Sequence, residues 1–390
     1  MNSELRVIGL MFFVLMLLAA CSKNEESPEE IQPVINVYVY SPDHPVVTRG
    51  DIGNVDPIEK ESLINSLQIW VFEHGTENLV SYYQPETVSN LNDDKGVTYQ
   101  LNVSESFAKA DPKPTVDVYV VANVKSENCG LSCDDKTTRA TLEGAKIGSS
   151  YFGLSSLVAE VPDAGLPMSG VLRDVAVSGS APVFKISSVK LTRAVSKLRF
   201  IFSRDKSGEV VKISSITLGA ELSPENQETQ IPQIPTEEYL FLKADNSLYH
   251  IDNTSYEAGC TELLPSSSTL KTDGINSNDD PLKYTYQSGQ NAQDYEDLIA
   301  AGVRDEKLSG VGPYYLRETD KQLSGVISYK KGTREDVYKA EFKMKAAGDF
   351  SRNHTWIIYA YYGVDGMKVV TVYSQNWTEV SSESHDVYNW

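Results

Sequence analysis

Beyond its first two dozen residues the chain is organised by a period of two. Pro33 to Tyr40 (PVINVYVY) is β-branched and aromatic, and Leu67 to Phe72, Thr98 to Val103, Thr115 to Val121 and Pro182 to Ile186 follow it. A second series runs through Ala194 to Phe202, Val211 to Leu218, Tyr239 to Leu242, Gly325 to Tyr329, Tyr338 to Met344, Trp356 to Tyr362 and Met367 to Tyr373. Short runs of this kind, bounded by Gly, Asn, Asp, Ser and Pro, predict an all-β sandwich architecture. Helical patterning is sparse. Asp56 as N-cap with Pro57 at the first helical position predicts a short helix over Pro57 to Ser66, and Gln293 to Ala301 predicts another.

Three stretches carry more detail. In Ala194 to Phe202 the residues Ala194, Ser196, Leu198, Phe200 and Phe202 share one face, while Lys197 and Arg199 share the other, as in a strand with one solvated side. Trp356 to Tyr362 and Met367 to Tyr373 predict a hairpin across Gly363-Val364-Asp365-Gly366. The polar stretch from Glu221 to Gly312 reads as surface loops around one or two strands. Two β-rich halves of similar size meet near residue 185.

The first residues belong to export, not to the fold. Arg6 precedes the apolar run Val7 to Leu18, which ends in Leu18-Ala19-Ala20-Cys21 and gives way to Ser22-Lys23-Asn24-Glu25-Glu26. The run is shorter than the roughly 20 apolar residues of a comfortable membrane span and has the form of a signal peptide, residues 1–20. Cleavage before Cys21 resembles the bacterial lipoprotein pattern, so Cys21 is the expected lipidation site and its acyl chains the membrane anchor.

Charge narrows the function. Lys and Arg number 35 against 54 Asp and Glu, a formal net charge of −19, which repels the phosphate backbone that nucleic-acid binding must attract. Cys129-Gly-Leu-Ser-Cys133 has the spacing for a disulfide that closes a small loop in an oxidising compartment, with Cys260 left over. The histidines are scattered without ligand spacing, so none is assigned to a metal, and no cofactor is expected. Asp273 to Asp280 is acidic enough to suggest calcium, but its spacing misses the EF-hand pattern.

Several segments together resemble the fimbrillins, the subunits of Bacteroidota type V fimbriae. They are Leu191-Thr192-Arg193-Ala194-Val195-Ser196-Lys197-Leu198, Leu67 to Phe72, Val118-Tyr119-Val120-Val121-Ala122-Asn123, Leu166-Pro167-Met168-Ser169-Gly170, Arg352-Asn353-His354-Thr355 and a late Trp377, in the family's order behind the lipoprotein signal. The acidic residues after Cys21 likewise resemble that group's surface-export signal. The resemblance implies two transthyretin-like β-sandwich domains, residues 50–185 and 186–390, with a few short helices, preceded by a propeptide over 21–49. It implies a non-enzymatic pilin that reaches the outer membrane as a lipid-anchored precursor and ends in an extracellular fimbrium. An arginine-specific maturation protease would cut between Arg49 and Gly50. Val34, Ile35, Val37 and Val39 would belong to the strand displaced by that cut. Val34 and Tyr38 lie on one face of it and Ile35, Val37 and Val39 on the other, so the strand is apolar on both sides, as a strand central in a sheet is. The donor replacing it would be the tail of a neighbouring fimbrillin subunit, here residues 378–390 with Val387, Tyr388 and Trp390. Arg193 and Lys197 would be structural, positioning the strand between the halves. The adhesion target is a host or bacterial surface that the resemblance leaves open.

Other readings meet the same residues. Arg49-Gly50-Asp51 is an integrin-type tripeptide that the cut would destroy. Catalysis finds no nucleophile elbow, P-loop, His-Glu-x-x-His or dinucleotide fingerprint in the sequence. The alternative function is a monomeric, surface-anchored lipoprotein that binds glycan or protein through some of its 22 Tyr and 4 Trp. It differs from the pilin reading at Pro33 to Tyr40, which stays in a simple binder and leaves in a pilin.

Overall fold

The computed structural model describes residues 32–41, 61, 63–88, 96–124, 129, 131–148, 157–158, 161–204, 211–243, 256, 261–264, 310–344, 347–348, 350–363, 366–376 and 382–386. The chain is all-β, as its alternation predicts. The first half contributes β1 (Val34–Tyr40), β2 (Leu67–Glu73), β3 (Leu79–Tyr83), β4 (Val97–Asn102), β5 (Val116–Ala122), β6 (Lys146–Gly148), β7 (Leu157–Val158), β8 (Met168–Val175), β9 (Ser178–Ser180), β10 (Val183–Lys185), β11 (Val189–Lys190) and β12 (Thr192–Arg193). The second contributes β13 (Ser196–Arg204), β14 (Val211–Leu218), β15 (Ala220–Leu222), β16 (Glu228–Gln230), β17 (Glu237–Tyr239), β18 (Thr261–Leu264), β19 (Gly310–Leu316), β20 (Ser324–Lys331), β21 (Val337–Lys343), β22 (His354–Gly363), β23 (Gly366–Asn376) and β24 (Ser382–Asp386). Among the described residues two short helices lie between strands: α1 (Glu105–Lys109), whose Ser104 cap accepts from the Phe107 amide, and α2 (Arg139–Glu143), capped by Thr138 in the same way.

The first core lies between two sheets. In one, β1 has β4 on one edge and β10 and β11 on the other, with β9 beyond β10; the facing sheet runs β12-β8-β5-β2-β3. Alternate residues of β1, β2, β4 and β5, among them Ile35, Leu67, Leu101 and Val118, meet between them. The facing sheet is covered on its other side as well. Trp70, Phe72, Tyr119 and Val121 pack under Leu131, Leu142 and Ile147 and under Leu240 and Phe241 from the second half, so every residue of β5 is buried. A strand buried on both faces reads as a continuous apolar run rather than an alternation. Thr115 to Val121 reads that way apart from Asp117.

The second core lies between β24-β23-β22-β13-β19-β7 and β18-β14-β20-β21. It gathers Leu198, Phe200 and Phe202 with Ile216, Ile327, Phe342, Trp356 and Ile358. β13 runs parallel to β22 from Lys197↔Thr355 to Arg204↔Tyr362. The predicted hairpin is present as β22 and β23, in register up to Gly363↔Gly366. The chain crosses from the first pair of sheets to the second between Arg193, still paired with Met168, and Ser196, paired with Leu316. That crossing lies beyond the boundary suggested near residue 185.

Three expectations change. Leu63 to Ser66 is not helical. Its backbone is taken by Asn123, whose Oδ1 accepts from the Asn65 amide at 2.7 Å and whose Nδ2 donates to the Leu63 carbonyl, also at 2.7 Å. Apart from Glu61, the rest of that predicted helix lies outside the described residues, as do the one over Gln293 to Ala301 and the Asp273 to Asp280 run. Lys197 is not on a solvated face: it is 3% exposed, because its strand is central in its sheet and an acidic partner closes over it. The polar stretch after Glu221 is more than surface loop. It holds β16, β17 and β18, and Gln233, Ile234, Glu238, Leu240 and Phe241 are buried. β17 pairs with β6 of the first half, so this segment joins the two cores.

Candidate functional site

β1 is the keystone of the first core. It pairs antiparallel with β4 from Val34↔Asn102 to Val39↔Val97, and parallel with β10 (Ile35↔Phe184) and β11 (Val39↔Val189). Single bonds tie its ends: the Val34 amide donates to the Pro182 carbonyl (2.8 Å), the Val103 amide to Pro33 (2.9 Å), and the Leu191 amide to Tyr40 (2.9 Å). Ile35, Val37 and Val39 are 0% exposed. Val34, Asn36, Tyr38 and Tyr40 are half-buried on the outer face. The strand is central, as its sequence predicts, but only one of its faces is core. On the outer face the Tyr38 and Tyr40 rings stand 6.0 Å apart. Tyr38 lies over Gly96, where φ is +54° and a Cβ would come within 2.6 Å of the Val39 carbonyl oxygen and 2.7 Å of the Tyr38 ring.

Burying Ile35, Val37 and Val39 contributes roughly 1.5–3 kcal/mol each. Their sum is of the order of the whole net stability of a domain, about 5–15 kcal/mol. Without β1 the first core would show water an apolar groove flanked by unpaired backbone of β4, β10 and β11, a template for another strand.

The junction between the halves is built differently. Glu61, ahead of β2, is 2% exposed and meets the Lys197 Nζ at 2.9 Å through Oε1 and 3.2 Å through Oε2. Arg193 Nε and Nη2 donate to the Glu61 carbonyl at 3.3 Å, and the Tyr315 hydroxyl donates to Glu61 Oε1. Burial, and then the Glu61 carboxylate, hold the Tyr315 hydroxyl far above its ordinary pKa. A second cluster lies nearby. Arg352 Nη2 lies 2.6 Å from Glu238 and 2.7 Å from Glu318, while the same guanidinium donates to the carbonyls of Leu240 (2.9 Å) and Tyr239 (2.7 Å). Burial and the neighbouring Glu318 push the Glu238 carboxyl well above its usual value, with Arg352 pulling the other way.

Arg193 and Lys197 both lie buried at the junction between the halves. Glu61 and Glu238 are partners that the sequence reading missed. Arg352 stood in a quoted motif without a role. Cys129 and Cys133 do not form the expected disulfide with each other; their sulfurs share a hydrogen bond instead. Cys21, Arg49, Gly50, Val387, Tyr388 and Trp390 lie outside the described residues. A wide cleft of about 590 Å³ opens between β3 and β4, lined by Tyr82, Tyr83, Gln100, Asn102 and Asp134 among others.

These features define a β-sandwich protein whose first core is completed by a strand from ahead of its body. Residues 44–209 match the family described as major fimbrial subunit protein (FimA). No curated protein matches it by sequence. Among solved structures it is similar to a candidate cell adhesion protein from Parabacteroides distasonis, at 12% identity and a TM-score of 0.52, over 90% of this chain and 99% of that one. It is also similar to the tip fimbrial protein Mfa3 from Porphyromonas gingivalis, with its C-terminus truncated, at 13% identity and a TM-score of 0.47, over 89% of this chain and 100% of that one. The first likeness carries the fold. The family match points to a fimbrial subunit over those residues.

Proposed function

We propose that the protein is a fimbrial subunit, exported as a lipoprotein and matured by proteolysis so that β1 is exchanged for a strand of another subunit. In this reading residues 1–20 direct export, Cys21 carries the lipid in the outer membrane, and an arginine-specific protease cuts between Arg49 and Gly50. Residues 21–49, with β1, are then held to the body only by non-covalent contacts. The observation that carries the reading is the position of β1: central in its sheet, buried through Ile35, Val37 and Val39, and without an ionic side chain to tether it. A strand held by backbone ladder and aliphatic contacts can be replaced by any segment that supplies the same pattern. A head-to-tail exchange does not close on itself, so it builds a fibre. The protein has no catalytic role in this reading.

The test is Arg49→Ala. The variant should reach the surface as a lipidated precursor and enter no polymer, while wild type cleaved by the protease in the presence of the other fimbrial subunits should enter detergent-resistant oligomers. Normal fibres from the variant would sink the reading. Wild-type protein that stays monomeric with β1 in place after cleavage would favour a surface-anchored binder working through the cleft between β3 and β4.

A further inference from the structure

We infer that the strand which fills the β1 groove of this protein comes from a chain of different sequence, bearing three aliphatic residues at alternate positions, and not from residues 378–390 of a second copy. The inference rests on the exchange proposed above and concerns the identity of the incoming strand. The groove has three consecutive inward positions, those of Ile35, Val37 and Val39, and all three are 0% exposed. They are lined by side chains such as Leu67, Leu101, Phe107 and Phe184. An incoming strand must place alternate residues there, whichever way it runs, because side chains repeat with a period of two.

Residues 378–390 (TEVSSESHDVYNW) fail that requirement in every register. One parity offers Glu379, Ser381, Glu383, His385, Val387 and Asn389, and no three in succession are apolar. The other offers Thr378, Val380, Ser382, Ser384, Asp386, Tyr388 and Trp390; its best window puts Asp386 in the groove with Tyr388 and Trp390 beside it, where branched aliphatic side chains had fitted. A polar or charged group in such a position loses its water without gaining a partner. The tail also has a place of its own: β24 pairs antiparallel with β23, from Thr371↔Asp386 to Gln375↔Ser382, as the edge of the second half's larger sheet. Moving it into a neighbour's groove would give up that pairing for a worse one.

The experiment uses the full precursor, cleaved with an arginine-specific protease, and labelled synthetic peptides. One spans residues 32–41, one is the same peptide with Val37→Glu, and one spans residues 378–390. Capture is read by co-elution on size exclusion and by hydrogen exchange of the β4 amides. The 32–41 peptide should be captured and should protect β4. The Val37→Glu and 378–390 peptides should both bind at least about 100-fold more weakly, one buried polar group being enough for that loss. A 378–390 peptide captured as tightly as 32–41, or polymer from the cleaved protein alone that disappears when residues 378–390 are deleted, would overturn the inference. If no peptide is captured and the β4 amides stay protected after cleavage, β1 has not left, and the exchange reading fails first.

Discussion

The β1 groove and the Glu61–Lys197 junction both close buried interfaces, and they do so by opposite means. β1 contributes no charge; its hold is a backbone ladder on both edges and three aliphatic side chains. The junction depends on particular side chains, with a carboxylate and an ammonium almost wholly out of water and with Arg193 and Tyr315 on the same Glu61. Apolar burial is non-directional and tolerates another sequence with the same pattern. A buried ion pair tolerates almost nothing, because losing one partner strands the other. The difference separates what can be exchanged from what must persist. Glu61 follows Arg49 in sequence, so the proposed cut would leave this lock with the body.

The sharpest way to break that comparison is to remove the lock. Lys197→Ala leaves the Glu61 carboxylate buried without its cation and should cost about 3–5 kcal/mol in denaturant unfolding, by the same amount before and after cleavage at Arg49. Lys197→Met combined with Glu61→Gln, which keeps an acceptor for Tyr315, should recover much of the loss. Ile35→Ala should cost about 2–5 kcal/mol in the precursor and nothing in matured protein from which β1 has gone. An equal effect of Ile35→Ala on both forms would mean that β1 never leaves.

The two regions also differ in how far the sequence reveals them. PVINVYVY announces a strand through its own residues, and its alternation identifies the buried set without knowledge of any partner. The junction depends on pairs far apart in the chain: Lys197 and Glu61 are 136 residues apart in sequence. A charged residue on a strand reads as solvated until its counter-charge is found, which is why alternation put Lys197 on a wet face. What covers Leu240 and Phe241, within the apolar run Tyr239 to Leu242, was hidden for a related reason. They lie at the end of a Pro- and Glu-rich segment, and their burial is set by Arg352, Ser169 and the outer face of β5, none of which is local. Local pattern revealed the strands and the groove, while the joining of the halves is a tertiary fact.

A finer probe of the groove is Gly96→Ala. The added methyl would press on the Val39 carbonyl and the Tyr38 ring as its nearest neighbours, and the positive φ adds strain of its own. The precursor should lose roughly 1–3 kcal/mol, with a smaller loss in matured protein, where only the backbone strain remains. Faster release of the 21–49 fragment after cleavage, followed by size exclusion, is the direct readout.

On the junction side, Glu238 predicts a pH dependence. Its folded-state pKa lies above the ordinary value of 4.5, so between those two values the folded protein holds a proton that the unfolded chain has released. Stability is full below 4.5 and falls as pH rises through the folded value, by at most about 1.4 kcal/mol per pH unit for one proton. Glu238→Gln keeps the hydrogen-bonding shape and removes the titration. Its unfolding midpoint should be flatter across that window than wild type, and an unchanged slope would place the proton on Glu318 instead.

The smallest effect tests the loop beside the first core. Cys129 and Cys133 share a hydrogen bond that, with burial, raises the Cys129 thiol and, against burial, lowers that of Cys133. Cys133 is also the more exposed of the two. It should therefore be alkylated first, with peptide mapping showing modification at Cys133 before Cys129. A two-electron thiol oxidant should instead join the sulfurs, each thiol losing one hydrogen and the oxidant taking both. Because the bridge would close only a short loop, the gain in stability should be small beside the losses above. A large gain would mean that this loop, and not only β1 and the junction, governs the first core.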